Sequence, residues 1–271
     1  MIRRRQLAFG AAVVALLTVT FGLCAAPPAQ AASAPHAGPR NIVLASKGKS
    51  GPAVSLDWAG YAVTGSLITT VSGSWTQPAA TCVGKPTQSA AWVGIDGYAS
   101  TDPTVQQVGT DADCTKKVKK IPSGPSYYAW FEMFPGQLVS LSTSLYPVAP
   151  GDQMSASVTL VGTAYQLVLT DAGRWTFSTV QVATTTPLNA SAEWIVEAPT
   201  SCKGTKCQPV KLTDFGTVPF TGATVGGVAI NASGVLPNLI NMSKNKKGTI
   251  LKASTSALDA RGGFDVTWLR N

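Results

Sequence analysis

Histidine is nearly missing from this chain. The one present, His36, sits in a Pro/Gly/Ala-rich stretch near the N-terminus, outside the segments that read as folded. Ser-His-Asp and Cys-His hydrolases need an imidazole as base, and histidine-ligated catalytic zinc needs one as ligand, so the sequence argues against all three. Any hydrolase built from this chain must work with carboxylates and amides. No C-x2-C pair occurs, which weakens a four-thiolate zinc site. No stretch sustains an amphipathic helical period, so helical layers are not expected either.

The N-terminus reads as an export signal. Arg3, Arg4 and Arg5 precede an apolar run from Leu7 to Leu23, and Ala29-Gln30-Ala31 forms a small-residue cleavage site. The run is short for a bilayer span and is followed by prolines and small residues rather than basic stop-transfer residues, so a cleaved signal over residues 1–31 is preferred to an anchor. A lipid anchor on Cys24 is disfavoured because Leu23 stands where a small residue is required. Cleavage leaves 271 − 31 = 240 residues, enough for one large β-domain. Residues 32–52 read as a flexible tail or short pro-segment, and residues 53–271 as the folded domain. The expected location is secreted and extracellular, with no membrane association after cleavage.

The signal removes three of the 21 basic residues and none of the 13 acidic ones, so the mature balance is 21 − 3 = 18 against 13. That surplus is mild. Its clusters, Lys116, Lys117, Lys119 and Lys120, then Lys244, Lys246 and Lys247, lie among turn-like residues and read as solvated loops. No aromatics interleave with them, as a single-strand-binding groove requires, so nucleic acid is not an expected partner. Setting Cys24 aside leaves Cys82, Cys114, Cys202 and Cys207, an even number in an exported chain, which favours two disulfides. Three pairings are possible; Cys202–Cys207 with Cys82–Cys114 is preferred.

From Leu56 onward, short runs of β-branched and aromatic residues alternate with Gly, Pro, Asn and Asp roughly every ten residues. Ile68 to Trp75, Ala90 to Ile95, Tyr127 to Phe134, Met154 to Val161, Tyr165 to Thr170, Trp175 to Val182, Ala192 to Glu197 and Val225 to Ile230 read as strands. Strands without helices between them imply an all-β, antiparallel sandwich or barrel.

Period-two alternation puts Tyr128, Trp130, Glu132 and Phe134 on one face of their strand, a carboxylate among large aromatics, and Tyr127, Ala129, Phe131 and Met133 on a core-like face. A solvated surface strand is the equal alternative. Glu193, Ile195 and Glu197 share a face. Two carboxylates on one strand suggest a glycosidase, but residues four apart lie about 13 Å apart, beyond the carboxyl spacing such mechanisms use. Gln106 and Gln107 point to opposite faces, and by themselves say little.

Asp57-Trp58-Ala59-Gly60-Tyr61, Ala91-Trp92-Val93-Gly94-Ile95-Asp96-Gly97, Gln107-Val108-Gly109, Tyr128-Ala129-Trp130-Phe131-Glu132 and Ala192-Glu193-Trp194-Ile195-Val196-Glu197, in this order, resemble the eqolisin family of glutamic peptidases, with Phe215 to Phe220 similar to its closing region. The resemblance implies a sandwich of two curved antiparallel sheets of the concanavalin A-like or jelly-roll type, whose concave face binds protein or peptide substrates. It places the catalytic glutamine on Gln107 and the glutamate on Glu197, with Trp58, Trp92, Asp96, Trp130 and Glu132 lining or supporting the groove and Glu193 as a supporting acid. It implies acid-acting endopeptidase chemistry with no metal or cofactor, and a monomer is expected. The sequence departs from fungal members in its basic composition and in Tyr128, where an acid is common. A non-catalytic carbohydrate- or peptide-binding sandwich and a glycoside hydrolase are the competing readings.

Overall fold

The computed structural model describes residues 52–115, 124–203 and 206–271. The signal and tail expectations, His36, Cys24 and the Lys116 to Lys120 cluster lie outside the described residues. Eighteen strands make up the described chain: β1 (Ala53–Ser55), β2 (Trp58–Thr64), β3 (Thr70–Thr76), β4 (Ala90–Ile95), β5 (Val105–Thr115), β6 (Gly124–Phe134), β7 (Val139–Ser140), β8 (Gln153–Val161), β9 (Ala164–Asp171), β10 (Trp175–Gln181), β11 (Ser191–Glu197), β12 (Thr200–Lys203), β13 (Lys206–Pro209), β14 (Thr217–Val225), β15 (Val228–Ala229), β16 (Pro237–Ser243), β17 (Leu251–Thr255) and β18 (Phe264–Trp268). Sixteen of them hydrogen-bond into one sheet in the order β10-β9-β8-β3-β14-β18-β17-β16-β2-β11-β4-β5-β6-β7, with β1 added beside β16 and β15 beside β14. Every pairing is antiparallel except β1 with β16.

The continuous sheet folds over on itself, and its two halves pack face to face as a β-sandwich. Contacts between the halves show the layering. The indole of Trp194 in β11 donates to the Ser72 carbonyl of β3 at 2.7 Å, that of Trp75 in β3 donates to Thr110 Oγ1 of β5, and Phe131 of β6 stacks on Phe177 of β10 at 5.7 Å. The main core therefore gathers one face of each half: Tyr61, Val93, Val108, Phe131, Trp194 and Val196 from one, Val71, Trp75, Val158, Leu167, Phe220 and Phe264 from the other.

Sequence pattern accounts for the layering. In β3 every second residue is buried, the signature of a strand with one face on the core. In β4 and β11 every residue is buried, so these central strands are covered on both sides. The Tyr127, Ala129, Phe131, Met133 face of β6 supplies Ala129, Phe131 and Met133 to the main core, so the core reading of that face holds. The expected single strand from Val225 to Ile230 is instead a hairpin. Gly226 and Gly227, at φ 58° and 78°, turn the chain between β14 and β15, a left-handed conformation that glycine adopts without a Cβ clash.

Two disulfides form, Cys82–Cys114 and Cys202–Cys207. The second closes the β12–β13 hairpin, where its two cysteines face each other.

Candidate active site

The face of β2, β11, β4, β5 and β6 turned away from the main core carries three rows of side chains. In the first, Ala62, Glu193, Gly94, Gln107 and Glu132 stand opposite one another; in the second, Gly60, Ile195, Trp92, Gly109 and Trp130; in the third, Trp58, Glu197, Ala90, Asp111 and Tyr128. Trp58, Trp92, Trp130 and Ile195 form a second apolar cluster with Tyr98 and Leu138. Trp58 meets Trp92 edge to face at 4.9 Å. Trp58, Trp92, Trp130 and Glu132 thus share the face of Gln107, and the solvated-strand alternative for β6 falls, because Glu132 is buried.

Gln107 and Glu193 sit on either side of Gly94, two strand spacings apart, which sets their Cα atoms about 10 Å from each other. Gly94 has no side chain, and the edge of the Trp92 indole lies over it, between the two polar groups. The Gln107 amide nitrogen donates to Glu132 Oε2 at 2.7 Å, which fixes the direction of its amide. Gln107 Oε1 is buried and meets no hydrogen-bond donor among the described residues, while the Glu193 carboxylate has the Ser191 hydroxyl beside it, which works against the effect of its burial. Buried polar atoms of this kind are costly in a finished fold, so a water or a ligand group is expected to meet them.

Glu197 lies elsewhere. It is opposite Ala90 rather than Gly94, and its Oε2 accepts the Trp92 indole N–H at 2.9 Å. Four residues along the strand add about 13 Å to the same two-strand step, so its Cα stands about 16 Å from that of Gln107. One water cannot lie within hydrogen-bond reach of both side chains while each is held by its own partner. The register thus sets Glu193, rather than Glu197, across Gly94 from Gln107.

Asp96 supports rather than lines. It ends β4 at φ 73°, and its carboxylate accepts the backbone N–H groups of Asn189 and Ala190 and the Thr104 hydroxyl, tying the turn after β4 to the segment that enters β11. Tyr98, just past it, is buried in the site-face cluster. Its phenol is pushed up to about 12, first by burial and then by the charge of Glu193. Tyr98 escaped sequence reasoning; it falls in a turn, where alternation gives no face.

Burial lifts Glu193 and Glu132 well above the usual carboxyl range, and nearby aspartates push the same way. Burial also raises Asp57 and Asp96 from 3.8 to about 6. These groups are easier to ionise in the unfolded chain than in the folded one. Their contribution to stability is complete below the unfolded values and disappears as pH rises through the folded ones. Asp57, raised from 3.8 to about 6, contributes about 3 kcal/mol in this way. The urea midpoint at constant ionic strength is therefore expected to fall as pH climbs from 4 toward 6.5. A midpoint that rises over that range contradicts the burial of these carboxyls.

Among the described residues, no three His, Cys, Asp or Glu side chains group so as to hold a metal ion.

The peptidase A4 family profile matches residues 56–266. The crystal structure of scytalido-glutamic peptidase with a transition state analog inhibitor superposes with a TM-score of 0.64 at 23% identity, over 79% of this chain and 98% of that one. SCP-B, a member of the eqolisin family of peptidases in a complex with the tripeptide Ala-Ile-His, gives 0.58 at 22% identity, over 79% and 98%. These likenesses establish the β-sandwich fold. No curated protein matches the chain in sequence.

Proposed function

Because the chain belongs to the peptidase A4 family and is accordingly a peptidase, we propose that it is an exported, acid-acting endopeptidase whose Gln107 and Glu193 activate a water across Gly94. The observation that carries this reading is the single row in which Glu193, Gly94 and Gln107 stand side by side, a buried carboxyl on one side of the glycine and a buried amide oxygen without a donor on the other.

The chemistry follows from those atoms. Gln107 Oε1 accepts one water hydrogen and orients its lone pair. Ionised Glu193 takes the other proton as the water oxygen bonds to the peptide carbonyl carbon. The carbonyl oxygen becomes an oxyanion, and the Gln107 N–H not engaged by Glu132 donates to it. Glu193 then returns the proton to the amide nitrogen, the C–N bond breaks, and a carboxyl and an amine leave. Glu132 holds the amide direction, and Glu197 seats the Trp92 indole beneath the site.

The pH dependence has two limbs. Glu193 must be ionised, so kcat/KM rises with pH through a pKa above the ordinary 4.5, since burial raises it. Glu132, raised by burial as well, is neutral in acid. Once it ionises, its charge draws the Gln107 N–H groups away from the oxyanion, and turnover falls. kcat/KM is therefore expected to rise as Glu193 ionises and to fall as Glu132 ionises. The buried carboxyls support the same reading, because they favour the fold in acid. The two disulfides suit an oxidising compartment, which supports export.

Digestion of a denatured protein at weakly acid pH, with chelator and pepstatin present and the products read by mass spectrometry, tests the proposal. Cleavage should persist under both additions and vanish in Gln107→Ala with its melting curve retained. Turnover in Gln107→Ala comparable to the parent would remove the mechanism. Release of reducing sugar from a polysaccharide would instead revive the glycosidase reading.

A further inference from the structure

At the far end of the site-bearing strands, past Glu197, lies a cavity of about 650 Å3 lined by residues from stretches distant in sequence. Leu56, just before β2, and Thr87, just before β4, form part of its wall, so it stands about 20 Å along the strands from the Gln107–Glu193 row. Lys85, Lys211, Lys244 and Lys252 all line it, no Asp or Glu side chain does, and the last residue of the sequence, Asn271, brings a single carboxylate to the same wall.

Lys252 is the unusual member. Its residue is only 7% exposed, and while its carbonyl accepts from the Leu269 and Arg270 N–H groups, its ammonium makes no hydrogen bond or ion pair among the described residues. Asp57 acts on it through space, but the Asp57 carboxyl bonds to Ser55 rather than to the lysine. Burial pulls the Lys252 ammonium down to about 8, and the charge of Lys244 adds to the effect. A buried ammonium ordinarily comes with a paired carboxylate. Here it opens into a polar cavity beside three exposed ammonium groups. Like charges held together around a space of molecular size are stabilised by an anion in that space.

We propose that this cavity is a binding site for an oxyanion carrying at least two negative charges, supplied either as a free ion or by the carboxylates of an acidic peptide segment. Four flexible ammonium groups suit a tetrahedral or multi-carboxylate ligand, since each lysine presents three rotatable donors. Thr87 adds a hydroxyl and Gln208 an amide to the wall. The site is separate from the hydrolytic row, so occupancy there does not depend on the peptidase mechanism.

Isothermal titration of the purified protein with inorganic phosphate, and separately with tri-D-glutamate, tests this at an ionic strength fixed with sodium chloride. One-to-one binding of at least one probe is expected, weakened about tenfold in Lys252→Met and again in the Lys211→Gln/Lys244→Gln pair, since each change removes charge-assisted donors. Hydrolysis of an uncharged peptide should be unchanged in both variants. Phosphate bound without the peptide identifies a free ion as the ligand, and the reverse identifies an acidic segment. Heats no different from chloride for both probes, or affinities unaltered in both variants, would overturn the site. The exposed lysine pair keeps the test decisive if Lys252→Met fails to fold. A negative result leaves the peptidase reading where it stands, since that reading rests on Gln107 and Glu193.

Discussion

Glu193→Gln is expected to lower kcat/KM by about 10³-fold or more, whereas Glu197→Gln should lower it by no more than about tenfold, because only the first change removes a general base. Both substitutions keep the side-chain volume. In Glu197→Gln the amide oxygen can still accept the Trp92 N–H that Glu197 accepts at 2.9 Å, so the indole stays seated. In Glu193→Gln no carboxyl is left on the Gly94 side of Gln107 to take the proton from water, while the side chain still fills its buried place. The folded state should not suffer: replacing a buried carboxyl by an amide removes the cost of ionising it, so Glu193→Gln is expected to melt no lower than the parent at neutral pH. Steady-state kinetics on one peptide, beside thermal melts of each variant, read both quantities. The opposite ranking, with Glu197→Gln inert and Glu193→Gln active, would return the catalytic role to Glu197.

A second large effect should come from a residue with no functional group. In Gly94→Ala the new Cβ would stand 3.2 Å from Gln107 Cβ, 3.1 Å from the Gln106 carbonyl oxygen and 2.9 Å from Trp92 Cζ3. The indole edge can shift, but the β5 backbone cannot shift cheaply, so a cost of about 1–3 kcal/mol is expected. The functional cost is separate. The methyl occupies the space between Glu193 and Gln107 where the proposed water belongs, and kcat should fall about 100-fold, within the range that small displacements of reacting groups produce. The measurement is kcat at a temperature where melting curves show the variant fully folded. Full activity in the folded variant would mean that the reaction does not use the space over Gly94.

Much of this was legible in the sequence, for physical reasons. Alternation of residue type in β3, β6 and β11 is plain enough to group side chains by face: Trp194 and Val196 together on one side, Glu193 and Glu197 together on the other. What alternation cannot give is register. Glu193 and Glu197 are equivalent as a face pattern, and only the pairing of β11 with β4, and of β4 with β5, shows which one meets Gln107. The 13 Å that weakens a paired-carboxylate glycosidase also separates Glu197 from the glutamine. Local turn chemistry was missed at Gly226-Gly227, where the apolar run from Val225 to Ile230 outweighed two adjacent glycines that break it. The lysine cavity was out of reach for a different reason. Lys85, Lys211, Lys244 and Lys252 are scattered over the chain, and Lys244 reads as part of a solvated loop until the fold sets it beside Lys252.

Strand β11 fits between β2 and β4, pairing with both, yet it is made only after β3 and β5 through β10 have followed them. Until residues 191–197 arrive, β2 and β4 have no common neighbour and a gap one strand wide separates them. The proposed Gln107–Glu193 row cannot form in a chain that ends before β11, because Glu193 travels on the strand that closes the gap. On the proposed mechanism, a chain that stops before β11 lacks both the acid and the strand that would carry it.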